Sequence, residues 1–140
     1  MSILMDAEAL TAFMTAEFPQ VARQFRVERV APMEADLRLI VGEEHLRPGG
    51  TISGPSMFAL ADLAFYAALL AMIGPVALAV TTNASIDFLR KPEAGRDLIG
   101  RARLLKLGRV LAVGDVLIVN EGSDAVLARA SMTYAIPPKR

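Results

Sequence analysis

Asp62 is the one formal charge between Arg47 and Asp87, and it stands inside the apolar run Met57-Phe-Ala-Leu-Ala-Asp62-Leu-Ala-Phe-Tyr-Ala-Ala-Leu-Leu-Ala-Met72. A carboxylate is costly to bury without partners. Aspartate is also a poor interior helix residue, because its side chain competes for backbone hydrogen bonds. Two readings follow. Asp62 is either a general base or nucleophile, or a buried acid satisfied by a backbone or hydroxyl partner. Few other groups compete for such a role. The chain has no cysteine and one histidine, His45. Thiolate nucleophiles, disulfides and thiolate or histidine-rich metal sites are therefore excluded, and a Ser-His-Asp triad would have to use His45. Acid–base chemistry must rest on carboxylates.

The residues around Asp62 offer polar help. Ser53-Gly54-Pro55 opens the apolar run, so free N–H groups and the positive end of a helix dipole are expected there. Pro55 fits a first helical turn and removes one of those donors, leaving Gly54 and Ser56. The plainer alternative is an ordinary cap at Ser53 or Gly54. Tyr66 lies four residues beyond Asp62, on the same helix face. Ser56, Tyr66 and Thr81 are candidate contacts for the carboxylate or for a water, and are more simply read as packing. Arg47 could anchor a carboxylate, bind substrate or pair with Asp62, or be a solvent-exposed loop arginine. His45, in the same loop, reads as polar surface. From Arg90 to Arg109 seven cations stand against Glu93 and Asp97. Arg90 and Arg109, at strand ends, are candidates for holding phosphates, whereas Arg101 and Arg103 read as the solvated face of a strand. The stretch lacks the aromatic residues of a nucleic-acid platform.

These groups have to be positioned by a chain of 140 residues, 54% hydrophobic and 21% charged, with zero formal net charge. That predicts one packed domain over residues 1–140 and no dominant nucleic-acid partner. The first ten residues lack the pattern of a signal peptide, so a cytoplasmic location is expected. Leu63 to Val80 carries no charge, but Gly74-Pro75 interrupts it, and no membrane span is expected. The pattern predicts a helix over Asp6–Phe18 ended by Pro19, and strands over Phe25–Val30 and Glu34–Val41. A Gly/Pro-rich loop follows over Glu43–Gly54, then a long helix over Pro55–Ile73 ended by Gly74-Pro75. Four strands close the chain, near Leu78–Arg90, Arg96–Leu107, Val110–Asn120 and Ala125–Ala135. Hairpin-like breaks between them predict a largely antiparallel sheet. The tail Pro137–Arg140 is expected to fray. The result is an α+β fold, one long helix wrapped by a curved sheet. Because the helix is apolar nearly all round, a partner subunit is expected to complete its cover.

The run from Arg47 to Phe65 resembles the central motif of the PaaI-like hotdog-fold thioesterases, which carry an Asn, a His-Gly-Gly at the helix start and a Leu-Ala-Asp within the helix. Ala79-Val-Thr-Thr-Asn-Ala-Ser-Ile-Asp-Phe-Leu-Arg90 and Gly108-Arg109 extend the likeness, which spans Leu46 to Ala135. The resemblance implies a hotdog fold that hydrolyses acyl-CoA thioesters at sites between subunits of a dimer or a tetramer built as a dimer of dimers. No cofactor or metal is implied, coenzyme A being part of the substrate. Asp62 matches the catalytic carboxylate, Gly54 the glycine whose N–H polarises the thioester carbonyl, and Thr81 a hydroxyl near the attacking water. Three positions depart from the motif: Arg47 replaces the Asn, Ser53 the His and Pro55 the second glycine. Those departures support an alternative, a non-hydrolytic acyl or acyl-CoA binding module on the same scaffold.

Overall fold

A computed structural model describes residues 2–138. Helix α1 (Ala7–Glu17) starts where the Asp6 side chain accepts from the Ala9 N–H at 2.9 Å, and it buries Leu10 and Met14. Pro19 ends it as expected. The same proline opens an unforeseen second helix, α2 (Pro19–Ala22), since its fixed φ suits a first turn as well as it breaks a later one. Strands β1 (Phe25–Ala31) and β2 (Glu34–Leu39) form a hairpin. The loop beyond them holds one 3₁₀ turn, Glu43–His45, and leads into α3 (Gly54–Ile73). Strands β3 (Val80–Phe88), β4 (Leu98–Leu107), β5 (Leu111–Asn120) and β6 (Val126–Ala135) follow. Of the tail expected to fray, Lys139 and Arg140 lie outside the described residues.

All six strands join one antiparallel sheet in the order β1-β2-β4-β5-β6-β3. The expectation of hairpins holds for β4–β5 and β5–β6 and fails for β3–β4. Strand β3 leaves the long helix at the far edge of the sheet and pairs only with β6. The connection from Phe88 to Leu98, with Pro92 in it, is a crossover. Helix α3 packs across β2, β4 and β5, so the strand after it emerges beyond them.

Helix α3 is long and apolar enough to cross a bilayer, but here the curved sheet wraps it. Met57, Leu60, Ala61 and every residue from Ala64 to Met72 are buried. Two strand glycines set how close it lies. A Cβ on Gly100 would stand 3.1 Å from Leu60 Cγ and 3.2 Å from Ala64 Cβ. A Cβ on Gly114 would meet the Arg103 carbonyl and come within 2.9 Å of the Phe65 ring. The ends of β2, β4 and β5 are tied by Arg38, which pairs with Glu28, Asp97 and Glu121. Strand β3 is covered least. Thr82 to Ser85, Asp87 and Phe88 are all exposed, and one backbone edge of the strand has no neighbour.

Gly114→Ala is expected to lower stability by about 1–3 kcal/mol, because the added methyl pushes against backbone and a buried ring. Urea unfolding followed by circular dichroism measures it. An unchanged midpoint would mean that α3 does not need its flush seat.

Candidate active site

Strand β6 turns Ala128, Ala130, Met132 and Tyr134 inward in strict alternation. Tyr134 therefore lies beneath α3, buried, its ring stacked on Phe65 with centroids 5.1 Å apart. Its hydroxyl reaches the helix and donates to Asp62 Oδ1 at 2.7 Å, with the Asp62 carbonyl oxygen 3.1 Å away. Thr81 is the cross-strand partner of Tyr134 and donates to the same Oδ1 at 2.6 Å. Just beyond Thr81 the β3–β6 register shifts, a bulge of the kind that re-aims side chains. Two hydroxyls thus hold one carboxylate oxygen, while Oδ2 receives no hydrogen bond from the described residues.

Burial, and then the neighbouring Asp62 carboxylate, pushes the Tyr134 phenol far above its ordinary value. It stays protonated and can only donate to the acid. Tyr66 faces the same cavity, but its hydroxyl turns to the Ala77 carbonyl at 3.3 Å. Burial and then Glu17 push this phenol up to about 12. The cavity measures about 380 Å³. Phe18, Leu63 and Val80 add apolar walls, and Asp62 is the only charged residue among its described lining residues.

A second cavity of about 780 Å³ opens at the start of α3, lined by Arg47, Thr51, Gly54, Phe88, Arg90 and Lys91 among others. Ser53 is a plain N-cap. Its Oγ accepts from the Ser56 N–H at 3.3 Å and donates to Ser56 Oγ at 2.8 Å. The Ser56 amide, expected to be available to a ligand, is thereby occupied. Pro55 has no N–H, so the Gly54 N–H alone remains unclaimed in this first turn among the described residues. A Cβ at position 54 would stand 3.4 Å from the Phe88 ring, an ordinary contact, so the space there does not by itself demand glycine.

The structure brings Asp62, Thr81 and Tyr66 to one cavity and Arg47, Gly54 and Arg90 to the other. Gly54 and Asp62 are separated along one helix by eight residues, about 12 Å at 1.5 Å per residue. Within one chain Arg47 therefore does not pair with Asp62. Arg109 sits in the β4–β5 turn, at the opposite end of the sheet from Arg90, and lines neither cavity. His45 corrects the expectation of polar surface, for it is buried. Its Nδ1 accepts from the Gly42 N–H at 2.8 Å, so Nε2 carries the proton and donates to Gln24 Oε1 at 2.9 Å. It holds the loop and reaches neither cavity. Sequence reasoning missed Tyr134 and Phe88. The inward alternation of β6 was a signal for the first. Nothing local points to the second.

The thioesterase superfamily model matches residues 49–134, from the loop through Tyr134. The chain belongs to the thioesterase superfamily. Among solved structures, a candidate thioesterase from a Silicibacter species is 59% identical, with a TM-score of 0.92 over 99% of this chain and 96% of that one. The phenylacetic acid degradation protein PaaI of Thermus thermophilus, solved as a single-site mutant, is 32% identical, with a TM-score of 0.73 over 85% of this chain and 99% of its own. Thioesterase superfamily member 2 from Mus musculus, at 22% identity and a TM-score of 0.81 over 94% of this chain and 97% of its own, shares the fold. No curated protein matches the chain in sequence. The architecture is the hotdog fold of this superfamily and the chain is PaaI-like, as the sequence resemblance implied.

The two tyrosines are the only ones in the chain, and there is no tryptophan. Both phenols titrate higher folded than unfolded, where the value is about 10. Their contribution to stability is therefore complete below about pH 10. It declines as pH rises beyond that, for Tyr66 through the window from about 10 to about 12. Alkaline spectrophotometric titration should show little tyrosinate at about pH 10 in the native protein. Both residues should ionise together with unfolding. Half-titration near pH 10 with the fold intact would contradict the buried clamp.

Proposed function

We propose that this superfamily member hydrolyses acyl-CoA thioesters to a free acid and coenzyme A, in a site shared between two subunits. The observation that carries the proposal is the clamped Asp62, which lines a cavity with one oxygen fixed by Thr81 and Tyr134 and the other without a hydrogen-bond partner among the described residues. A carboxylate fixed in this way is oriented for attack or proton abstraction at no further entropic cost. Beside it, the hydroxyls of Tyr66, Thr81 and Tyr134 are all engaged, and no free side-chain donor for a thioester carbonyl lines the cavity among the described residues.

The free edge of β3 supports the shared site. An unpaired strand edge invites a second strand. If two copies pair antiparallel through β3, the Phe88 end of one strand lies against the Val80 end of the other. Gly54 packs at the Phe88 end and Asp62 is bonded at the Thr81 end. The pairing therefore sets the Gly54 cavity of one subunit beside the Asp62 cavity of its partner, twice per dimer. It also brings Arg109 of one subunit to the end that carries Arg90 of the other, two cations suited to the phosphates of coenzyme A. Pairs of dimers would give a tetramer. A second subunit would in addition cover the exposed faces of β3.

In such a site the Gly54 N–H donates to the carbonyl oxygen as negative charge develops there. Asp62 acts through Oδ2 in one of two ways. As a base it takes a proton from a water that attacks the carbonyl carbon, and returns the proton to the departing thiolate. As a nucleophile it attacks the carbonyl carbon, the C–S bond breaks to release the coenzyme A thiolate, and water opens the resulting anhydride to give the free acid and restore the Asp62 carboxylate. Thr81 and Tyr134 keep Oδ1 in place on either route. The chemistry asks for no metal or cofactor, and a cytoplasmic setting, where acyl-CoA is made and consumed, suits it.

Thiol release from a panel of acyl-CoAs tests the reading. Asp62→Asn is expected to lower kcat by about 10²–10⁴-fold with an unchanged fold. Equal turnover in that variant would sink the assignment, and calorimetric binding of acyl-CoA with no release would favour the binding module. Tyr134→Phe removes one donor to a charged acceptor and is expected to cost about 1.5–3 kcal/mol of stability. Its turnover should lie between those of wild type and Asp62→Asn. Analytical ultracentrifugation of Ala84→Pro, altered on the free edge, should show dissociation to monomer together with loss of activity.

A further inference from the structure

The cavity at the start of α3 has an unbalanced charge. Arg47, Arg90 and Lys91 line it, no carboxylate does, and none of the three forms an ion pair among the described residues. Arg26, Arg29, Arg38, Arg96, Arg101 and Arg129 are paired with acids, whereas Arg23, Arg103, Lys106 and Arg109, like the cavity cations, form no ion pair among the described residues. What distinguishes the cavity is that three such cations line one concavity with no carboxylate among its described lining residues. Their walls between them are apolar, made by Ile52, Met57, Phe88 and Leu89.

A second observation singles out one wall. The Leu46–Ile52 bridge closes a tight loop, in which the Arg47 N–H donates to the Thr51 carbonyl at 2.9 Å. Arg47 and Thr51 are therefore neighbours across the loop, and both line the cavity. Thr51 Oγ1 is buried and has no hydrogen-bond partner among the described residues. Buried hydroxyls are nearly always satisfied, and one that is not asks for an explanation. Rotated toward the cavity, that hydroxyl would join the Arg47 guanidinium as a donor for an anionic oxygen.

We infer that the Arg47–Thr51 wall of the Gly54 cavity binds a carboxylate carried by the acyl group, so that the preferred substrates are thioesters of acids bearing a second, distal carboxylate. The inference rests on the hydrolase reading and extends it to a substrate class. The apolar walls take the methylene chain between the two carbonyl groups. The Gly54 N–H, in the same cavity, takes the thioester carbonyl. Anionic oxygen could also come from the phosphates of coenzyme A. With Arg90 given to those phosphates, Arg47 is the cavity arginine left for the acyl group.

The test compares matched thioesters that differ only at the distal end: hexanoyl-CoA against adipyl-CoA, and octanoyl-CoA against suberyl-CoA. Each acyl group is also offered on pantetheine, which lacks the phosphates. Wild-type kcat/KM should favour the carboxylated member of each pair by about tenfold or more on both carriers, as a charge-assisted contact provides. Arg47→Ala should collapse that ratio to about one, Arg47→Lys should restore part of it, and Thr51→Val should reduce it. A wild-type ratio of one or below overturns the inference. So does an Arg47→Ala loss that falls equally on hexanoyl-CoA and adipyl-CoA and vanishes on pantetheine, which would give Arg47 to the phosphates. If no thioester of any kind is cleaved, the hydrolase reading fails by itself. Calorimetry with adipate then decides the pocket: binding lost in Arg47→Ala sustains it, and no binding to wild type rejects it.

Discussion

Everything in this molecule follows from one helix that has almost no polar side. Helix α3 must be covered around nearly its whole circumference, and a hotdog sheet does so by curling. Seating the helix flush requires strands without side chains directly beneath it, which Gly100 and Gly114 provide. Covering it also dictates the path of the chain. The strand that follows α3 emerges on the far side of the β2-β4-β5 face and becomes an edge, exposed on its faces and open along its backbone. The same geometric demand thus gives the core its shape and leaves the edge at which a second copy could complete it.

Asp62 is the exception that this arrangement is built to hold. A lone carboxylate on an apolar helix needs donors, and in this fold they come from the sheet. Tyr134 reaches up from β6 and Thr81 in from β3, as cross-strand neighbours aimed at one oxygen. Burial keeps the phenol protonated, so its donation is fixed in direction. The structural and functional readings of Asp62 are compatible, because satisfying Oδ1 is what positions Oδ2. At the other end of the helix the dipole and a single free amide stand ready for negative charge. The helix holds the Asp62 carboxylate and the Gly54 amide about two turns apart.

Much of this was legible in the residues. The apolar run with its one acid, the Ser-Gly-Pro start and the Gly-Pro stop marked α3 and its site, and alternation marked β4, β5 and β6. The resemblance added the fold family and named Asp62, Gly54 and Thr81 together. Other features were not local. Pro92 and Gly95 look like a hairpin turn, but β4 is claimed by β2 and β5, so the segment is a crossover. His45 reads as surface until Gly42 and Gln24 are seen to close around it. Arg90 and Arg109 look like one basic cluster in sequence and lie at opposite ends of the sheet.

By itself the sequence determined which element is the core and which residues could carry chemistry, because burial of apolar surface and helix capping are read from neighbours a few positions apart. Only the tertiary structure decided which of those residues meet. Tyr134 stands 72 positions after the carboxylate it holds. Gly54, eight positions away, belongs to a different cavity. Strand pairing brings distant residues together, while the fixed rise of a helix keeps near ones apart.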